Sequence, residues 1–138
     1  MSMLIAKNIK LLVVHCSDSE DREKLTALDI HKMHLSFGWD GIGYHKIIKR
    51  SGKIENGRPE YWVGAHVKGK NDISLGVCLI GRDNFTKSQF KSLERVLKKW
   101  KKLYPNAKIV GHRDTGKTKK TCPNFDVISW YKNISACT

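Results

Sequence analysis

The sequence predicts an α/β fold, a mixed central β-sheet flanked by helices within a single domain. Three observations support this prediction: short apolar runs are typical of buried strands, segments of helical periodicity separate them, and a Ser-Gly turn joins two strands as a hairpin. The predicted order is strand, helix, strand, strand, long loop, strand, helix, strand and helix. The 138 residues suit one compact domain, which we expect to cover residues 1–138.

The first half of the chain supplies three predicted strands, over residues 9–15, 43–50 and 53–55, and one helix over residues 26–37. The first run is continuously apolar and ends in a polar residue, which is typical of a central strand with His15 at its C-terminal end. Thr26 with Asp29 offers a capping arrangement at the start of the helix, and Gly38 ends it.

The second half supplies two predicted strands, over residues 73–81 and 107–111, and two helices, which begin after Thr86 and after Asp126. Thr86 and Gln89 form a capping box, and apolar residues then recur at helical spacing with lysines on the other face. Pro105 ends this helix, because proline cannot continue it. Residues 56–72 are rich in glycine, asparagine and charge, and predict a long surface loop of a kind that is often functional.

The chain is strongly basic. It has 26 Lys and Arg against 13 Asp and Glu, which gives a formal net charge of +13. A field of that sign attracts nucleic acid, anionic membranes or an acidic cell wall, and charge alone does not choose among them. A solvated basic surface without a partner is the alternative interpretation.

The four cysteines do not predict a disulfide framework. Cys16 and Cys78 lie in apolar runs, which favours buried thiols, and Cys137 near the C-terminus is expected to be a free thiol. Synthesis in a reducing compartment follows from this. The N-terminus has no long apolar segment with a small-residue cleavage site, so we expect no secretory signal. No apolar run is long enough for membrane insertion.

Two histidines and a cysteine suggest a metal site. His15 and His112 come at the C-terminal ends of predicted strands, the edge of an open α/β sheet where sites collect. Cys122 lies ten residues beyond His112, on a loop that can fold back. Two imidazoles and a thiolate suit one zinc ion, with the fourth tetrahedral position open to water. Spacing alone leaves a second interpretation open, in which these are scattered core and surface residues.

Five sequence segments carry further information: VVHCS at 13–17, GYHKIIKRSGKIENGR at 43–58, VGAHVKGKNDISLGVCLIG at 63–81, VGHRD at 110–114 and KTCPNFD at 120–126. Together and in this order they resemble the type-2 N-acetylmuramoyl-L-alanine amidases. That family includes small phage lysozymes of the amidase type and the animal peptidoglycan recognition proteins. The resemblance runs from about Lys10 to Tyr131 and implies the fold of that family.

The resemblance implies a catalytic role for several residues. The zinc ligands of the family are matched by His15, His112 and Cys122. Tyr44 matches the tyrosine beside the metal, which can hydrogen-bond the attacking water or the tetrahedral intermediate. Lys120 matches the lysine that completes the site in active phage members and stabilises the oxyanion. Lys119 is the alternative to Lys120, because this loop is two residues longer than in a close phage relative.

Other histidines and one asparagine receive less direct roles. His66 and Asn71 match positions along the sugar-peptide groove of the family, so the resemblance implies that they bind substrate. His45 follows Tyr44 on a predicted strand and therefore points to the opposite face, which favours a packed histidine over a ligand. His34 matches a helical histidine and is expected to be structural.

The implied reaction is hydrolysis of the amide that joins N-acetylmuramic acid to L-alanine in bacterial peptidoglycan. Such an enzyme without a secretory signal fits an endolysin, encoded by a phage or a prophage. We expect it to be made in the bacterial cytoplasm, to act on the cell wall after release, and to be a monomer. The basic surface would then attract the acidic wall.

Two rival functions remain at this stage. The first is a peptidoglycan-binding module of the same fold that does not cleave its ligand, although such relatives typically lack the cysteine ligand. The second is a nucleic-acid-binding protein with a structural zinc. We expect no specific nucleic acid, because the sequence has neither repeated Cys/His finger spacing nor an aromatic RNA-binding motif.

Overall fold

A computed structural model describes residues 2–19, 25–116 and 121–136, and it confirms a mixed sheet flanked by helices. The five strands are β1 (Leu11–Cys16), β2 (Lys46–Ile48), β3 (Ile54–Asn56), β4 (Ser74–Leu79) and β5 (Lys108–Gly111). Their order in the sheet is β3-β2-β4-β1-β5. The β2–β3 hairpin is antiparallel and every other pair is parallel, so the predicted hairpin is the source of the mixed topology.

Three α-helices accompany the sheet: α1 (Ala27–Ser36), α2 (Lys87–Leu103) and α3 (Val127–Ala136). Both predicted capping arrangements are present, with the Asp29 N–H donating to Thr26 Oγ1 at 3.3 Å and the Gln89 N–H to Thr86 Oγ1 at 3.0 Å. The helix α2 ends two residues before Pro105, as that proline predicts. Within the described residues, no helix combines the length and the apolar character needed to cross a membrane.

The strand β1 divides the interior into two faces. Leu12 and Val14 belong to the large apolar cluster that includes residues of α2 and α3. Val13 belongs to a separate cluster on the other face. Because successive side chains of a strand alternate between faces, His15 shares the face of Val13, which is also the side where Ile30 of α1 packs.

The segment around Tyr44 differs from the prediction of a strand over 43–50. Regular pairing begins only at Lys46, so Tyr44 and His45 precede β2. Their backbone is nevertheless held on both sides: the His45 N–H donates to Gly76 O at 2.9 Å, and the Arg58 N–H donates to Tyr44 O at 2.8 Å. The backbone of both residues is therefore held in place, although it lies outside the strand.

The long loop over residues 56–72 is also more buried than predicted. Arg58 is 7% exposed, and its guanidinium donates to the carbonyl oxygens of Ile42 at 3.0 Å and Val63 at 2.8 Å. These bonds tie the loop to the segment before Tyr44. The middle of the loop, including His66, consequently lies inside the molecule, where a surface loop was expected.

Candidate metal centre

Three side chains from distant parts of the chain converge at one edge of the sheet. One ligand atom from each of His15, His112 and Cys122 lies within 4.8 Å of the other two. His15 is the fifth residue of β1, His112 directly follows β5, and Cys122 lies on the loop before α3. Since β1 and β5 are parallel neighbours, their C-terminal ends bring the two imidazoles together, with ring centroids 4.7 Å apart.

Backbone hydrogen bonds place Cys122 over the end of β1. The Cys16 N–H donates to Cys122 Sγ at 3.0 Å, and the Arg113 N–H donates to Cys122 O at 2.8 Å. The hydrogen bond with the Cys16 side chain, together with burial, raises the pKa of the Cys122 thiol. A cation bound to the sulfur would act in the opposite direction and favour the thiolate.

The donor set of this cluster fits a divalent metal. Two imidazole nitrogens and one sulfur form the ligand type that zinc prefers, and three protein ligands leave a fourth position for water or substrate. Among the described residues, this is the one group of three His, Cys, Asp or Glu side chains close enough to hold an ion. The structure thus brings together the three residues predicted as ligands.

Tyr44 lies beside this cluster, as its predicted role requires. Its ring centroid is 5.1 Å from that of His15 and 5.5 Å from that of His34. Burial raises the pKa of Tyr44 well above that of a solvated phenol. The hydroxyl therefore stays protonated at neutral pH and can donate a hydrogen bond to an oxyanion.

His66 contacts the cluster through His15. Its Nδ1 lies 2.8 Å from His15 Nε2, and the two rings meet edge to face. Burial lowers the pKa of His66 well below its usual value, so the ring is neutral. Asn71 Oδ1 accepts hydrogen bonds from the backbone N–H groups of His66 and Val67, both at 2.8 Å. Both residues border the cleft, and their role in substrate binding remains a prediction.

His45 and His34 are packed histidines, as predicted, but His45 does not point away from the site: its ring centroid lies 5.7 Å from that of His66, because the backbone before β2 is not a regular strand. His45 Nδ1 accepts from the Gly76 N–H at 3.1 Å, and its Nε2–H donates to Trp62 O at 2.8 Å. His34 Nδ1 accepts from the Gly43 N–H at 2.9 Å. Each ring thus fixes a neighbouring backbone segment, and neither belongs to the metal cluster. The predicted Lys120 and its alternative Lys119 lie outside the described residues.

The cluster opens into a cleft of about 1310 Å³. One wall is formed by the end of α1 and the turn after it, where Met33, Phe37 and Trp39 are 42%, 58% and 42% exposed. None of these three residues was among the predicted site residues. The sequence does offer one signal for them, because Phe37 and Trp39 flank Gly38, the predicted end of α1. Large apolar side chains that stay exposed at a helix end often mark a binding surface.

Comparisons with known proteins agree with this geometry. The model of a family described as N-acetylmuramoyl-L-alanine amidase matches residues 6–125. An endolysin of Enterobacteria phage K11 is 40% identical over 127 residues, which cover 86% of this chain and 83% of the relative. The endolysin of Escherichia phage T7 is 37% identical over 135 residues, covering 92% and 88%.

A solved structure gives the same result in three dimensions. An endolysin N-acetylmuramoyl-L-alanine amidase from Clostridium intestinale superposes with a TM-score of 0.85 at 27% sequence identity. The alignment covers 99% of this chain and 89% of that one. Fold, sequence and the order of the site residues therefore all indicate one family.

Proposed function

The chain belongs to the N-acetylmuramoyl-L-alanine amidase family, and we propose that it uses one zinc ion held by His15, His112 and Cys122. Enzymes of this family hydrolyse the amide between N-acetylmuramic acid and the L-alanine of the peptidoglycan stem peptide, and this chain is such an amidase. The observation that supports the proposal most directly is the convergence of the three ligand atoms within 4.8 Å at the floor of an open cleft.

A bound zinc ion supplies Lewis-acid chemistry: it lowers the pKa of a water molecule and polarises the amide carbonyl. The chain contributes the rest of the catalytic environment. Tyr44 keeps its proton and donates a hydrogen bond to the oxygen that becomes negative as the amide is attacked. Lys120, or Lys119 in its place, adds a positive charge that stabilises the same oxygen.

The cleft supports binding of a large, mixed substrate. Its exposed apolar wall at Phe37 and Trp39 suits apolar parts of a glycopeptide, and its other lining includes Lys68 and Asn71. We infer that His66 and Asn71 border the bound substrate. We further propose that the protein is a monomeric endolysin of a phage or prophage, made in the bacterial cytoplasm and active on the wall after release.

Digestion of purified peptidoglycan, followed by mass analysis of the fragments, tests this function. Wild-type protein should release free stem peptides and leave intact glycan strands. Cys122→Ala should lose both zinc and activity, because it removes one ligand of three. Tyr44→Phe should keep its zinc and lose about 100-fold in kcat, which is typical of a missing oxyanion donor.

Three results would contradict the proposal. New reducing sugar ends or cuts within the peptide would show a different bond specificity. A protein that binds zinc and releases no amino groups would be a peptidoglycan-binding module. Full activity in a metal-stripped protein would show that the reaction does not require zinc.

A further inference from the structure

A chain of buried hydrogen bonds extends from the metal cluster into the sheet. His15 Nε2 lies 2.8 Å from His66 Nδ1, and His66 Nε2 lies 3.3 Å from Ser74 Oγ. Ser74 Oγ is in turn 2.7 Å from the carbonyl oxygen of Lys70. The three side chains are 1%, 9% and 0% exposed, so bulk water does not compete for these bonds.

The Lys70 carbonyl oxygen, at the far end of this series of hydrogen bonds, determines where the protons along the series lie. A carbonyl oxygen only accepts, so the single hydroxyl proton of Ser74 is directed to Lys70 O. Ser74 Oγ can then only accept from His66, which places a proton of the His66 ring on Nε2. His15 Nε2 faces His66, so only His15 Nδ1 is left to offer a lone pair to a metal; the ring proton of His15 then lies on Nε2 and is donated to His66 Nδ1.

We propose that His66 is a positioning residue that holds His15 in one tautomer, with its proton on Nε2 and its lone pair on Nδ1. That tautomer presents Nδ1 to the metal, which needs a nitrogen lone pair. A neighbour that accepts the other ring proton also fixes the orientation of the imidazole and makes it a better ligand. The inference rests on the proposed metal site and adds the residue that prepares it.

Gly76 supplies a second, independent observation. A Cβ atom at this position of β4 would lie 2.7 Å from His66 Nδ1 and 2.8 Å from its Cγ. The backbone of Gly76 does not have a positive φ, so glycine is needed here for space. The central strand therefore leaves a gap filled by the imidazole, while Asn71 holds the backbone of His66 from the loop side.

Zinc affinity, measured by competition with a chromophoric chelator, tests the role of His66. His66→Leu should bind zinc about 10- to 100-fold more weakly, as is usual when a partner of a ligand histidine is lost. His66→Asn keeps an oxygen near the position of Nδ1 and should recover most of the affinity. The matched control is His34→Leu, which removes another buried imidazole, bonded to the Gly43 N–H and not to His15 or His66, and which should leave the affinity unchanged.

The tautomers can also be observed directly by ¹⁵N NMR of the imidazole rings in zinc-free wild-type protein. We expect protonated Nε2 and unprotonated Nδ1 in both His15 and His66. A proton on His15 Nδ1, or equal zinc affinity in His66→Leu and wild type, would overturn the inference. Failure of the wild type to bind zinc would instead refute the metal site, and the NMR result would still report the tautomer of His15.

Discussion

Three histidines of the site show that hydrogen-bond partners, more than residue type, determine what an imidazole does. His15 faces two other potential ligands, whereas His66 contacts His15 and a serine hydroxyl. The ring centroid of His45 is 5.7 Å from that of His66, yet both of its ring nitrogens bond to backbone groups. The proposed ligand, the proposed positioning residue and a packing residue therefore lie within one small region.

Burial of His45 should make the protein sensitive to acid. Loss of solvation lowers the pKa of His45 to about 4, and the positive charges of Arg58 and Lys46 lower it too. The hydrogen bond to Trp62 O and the charge of Glu60 raise this pKa, but by less. The unfolded chain, with a pKa near 6.5, binds a proton first, so stability is lost as pH falls from about 6.5 to 4. The contribution is about 3 kcal/mol.

Urea unfolding at several pH values across that window measures the effect. His45→Leu should show a smaller fall in the free energy of unfolding between pH 6.5 and 4 than wild type. His34, whose pKa burial also lowers, is present in both proteins, so the difference isolates His45. Parallel pH dependences in the two proteins would contradict this prediction.

Among the secondary-structure elements, α2 was the best predicted, because its cap, its periodicity and its terminating proline are all local. The capping box of Thr86 and Gln89 also connects α2 to the hairpin, since Thr86 Oγ1 donates to Arg50 O at 2.7 Å. The cap therefore stabilises both the helix start and its contact with the turn after β2.

Thr86→Ala should destabilise the protein by about 0.5–2 kcal/mol, the range observed for lost N-caps. Its extra bond to Arg50 O favours the upper half of that range. Ser88→Ala, an exposed hydroxyl in the first turn of the same helix, is the matched control and should change stability by less than about 0.5 kcal/mol. Equal losses in both variants would show that the cap is not responsible.

Local patterns predicted most of the fold, and family motifs predicted the convergence of His15, His112 and Cys122. What they missed depends on pairings between distant residues. The bond from His15 to His66 joins residues 51 positions apart, and the burial of Arg58 depends on carbonyl groups of another segment. Neither follows from periodicity. Likewise, β2 is shorter than the strand predicted over 43–50 because pairing, rather than composition, determines where a strand begins.

The whole molecule carries a large positive charge, and part of it forms a regular row of basic residues along α2. Lys87, Lys91, Arg95 and Lys99 recur every four residues on its exposed side, and Glu94 is the single acidic residue of the helix. Like charges at this spacing repel one another by a few tenths of a kcal/mol per pair. A polyanionic surface such as the bacterial wall would relieve that repulsion on contact.

Hydrolysis of whole cell walls should therefore slow steeply as salt rises from low ionic strength to about 0.15 M, where the Debye length is about 8 Å. Small soluble muropeptides carry few charges, and their hydrolysis should depend on salt much less. Rates for both substrates, measured in one salt series, check this. Lys91→Glu with Arg95→Glu should lower only the wall rate, and an identical salt response for both substrates would contradict the idea.

The three proposed zinc ligands also make the ion a cross-link between the two ends of the chain. His15 belongs to the first strand, whereas His112 and Cys122 follow the last one. An ion that binds only the folded chain stabilises it in proportion to the logarithm of its concentration, by about 4 kcal/mol at 1,000 times Kd. A chelator would then act as a denaturant as well as an inhibitor, and the metal supply of the cell would set how long the enzyme survives proteolysis.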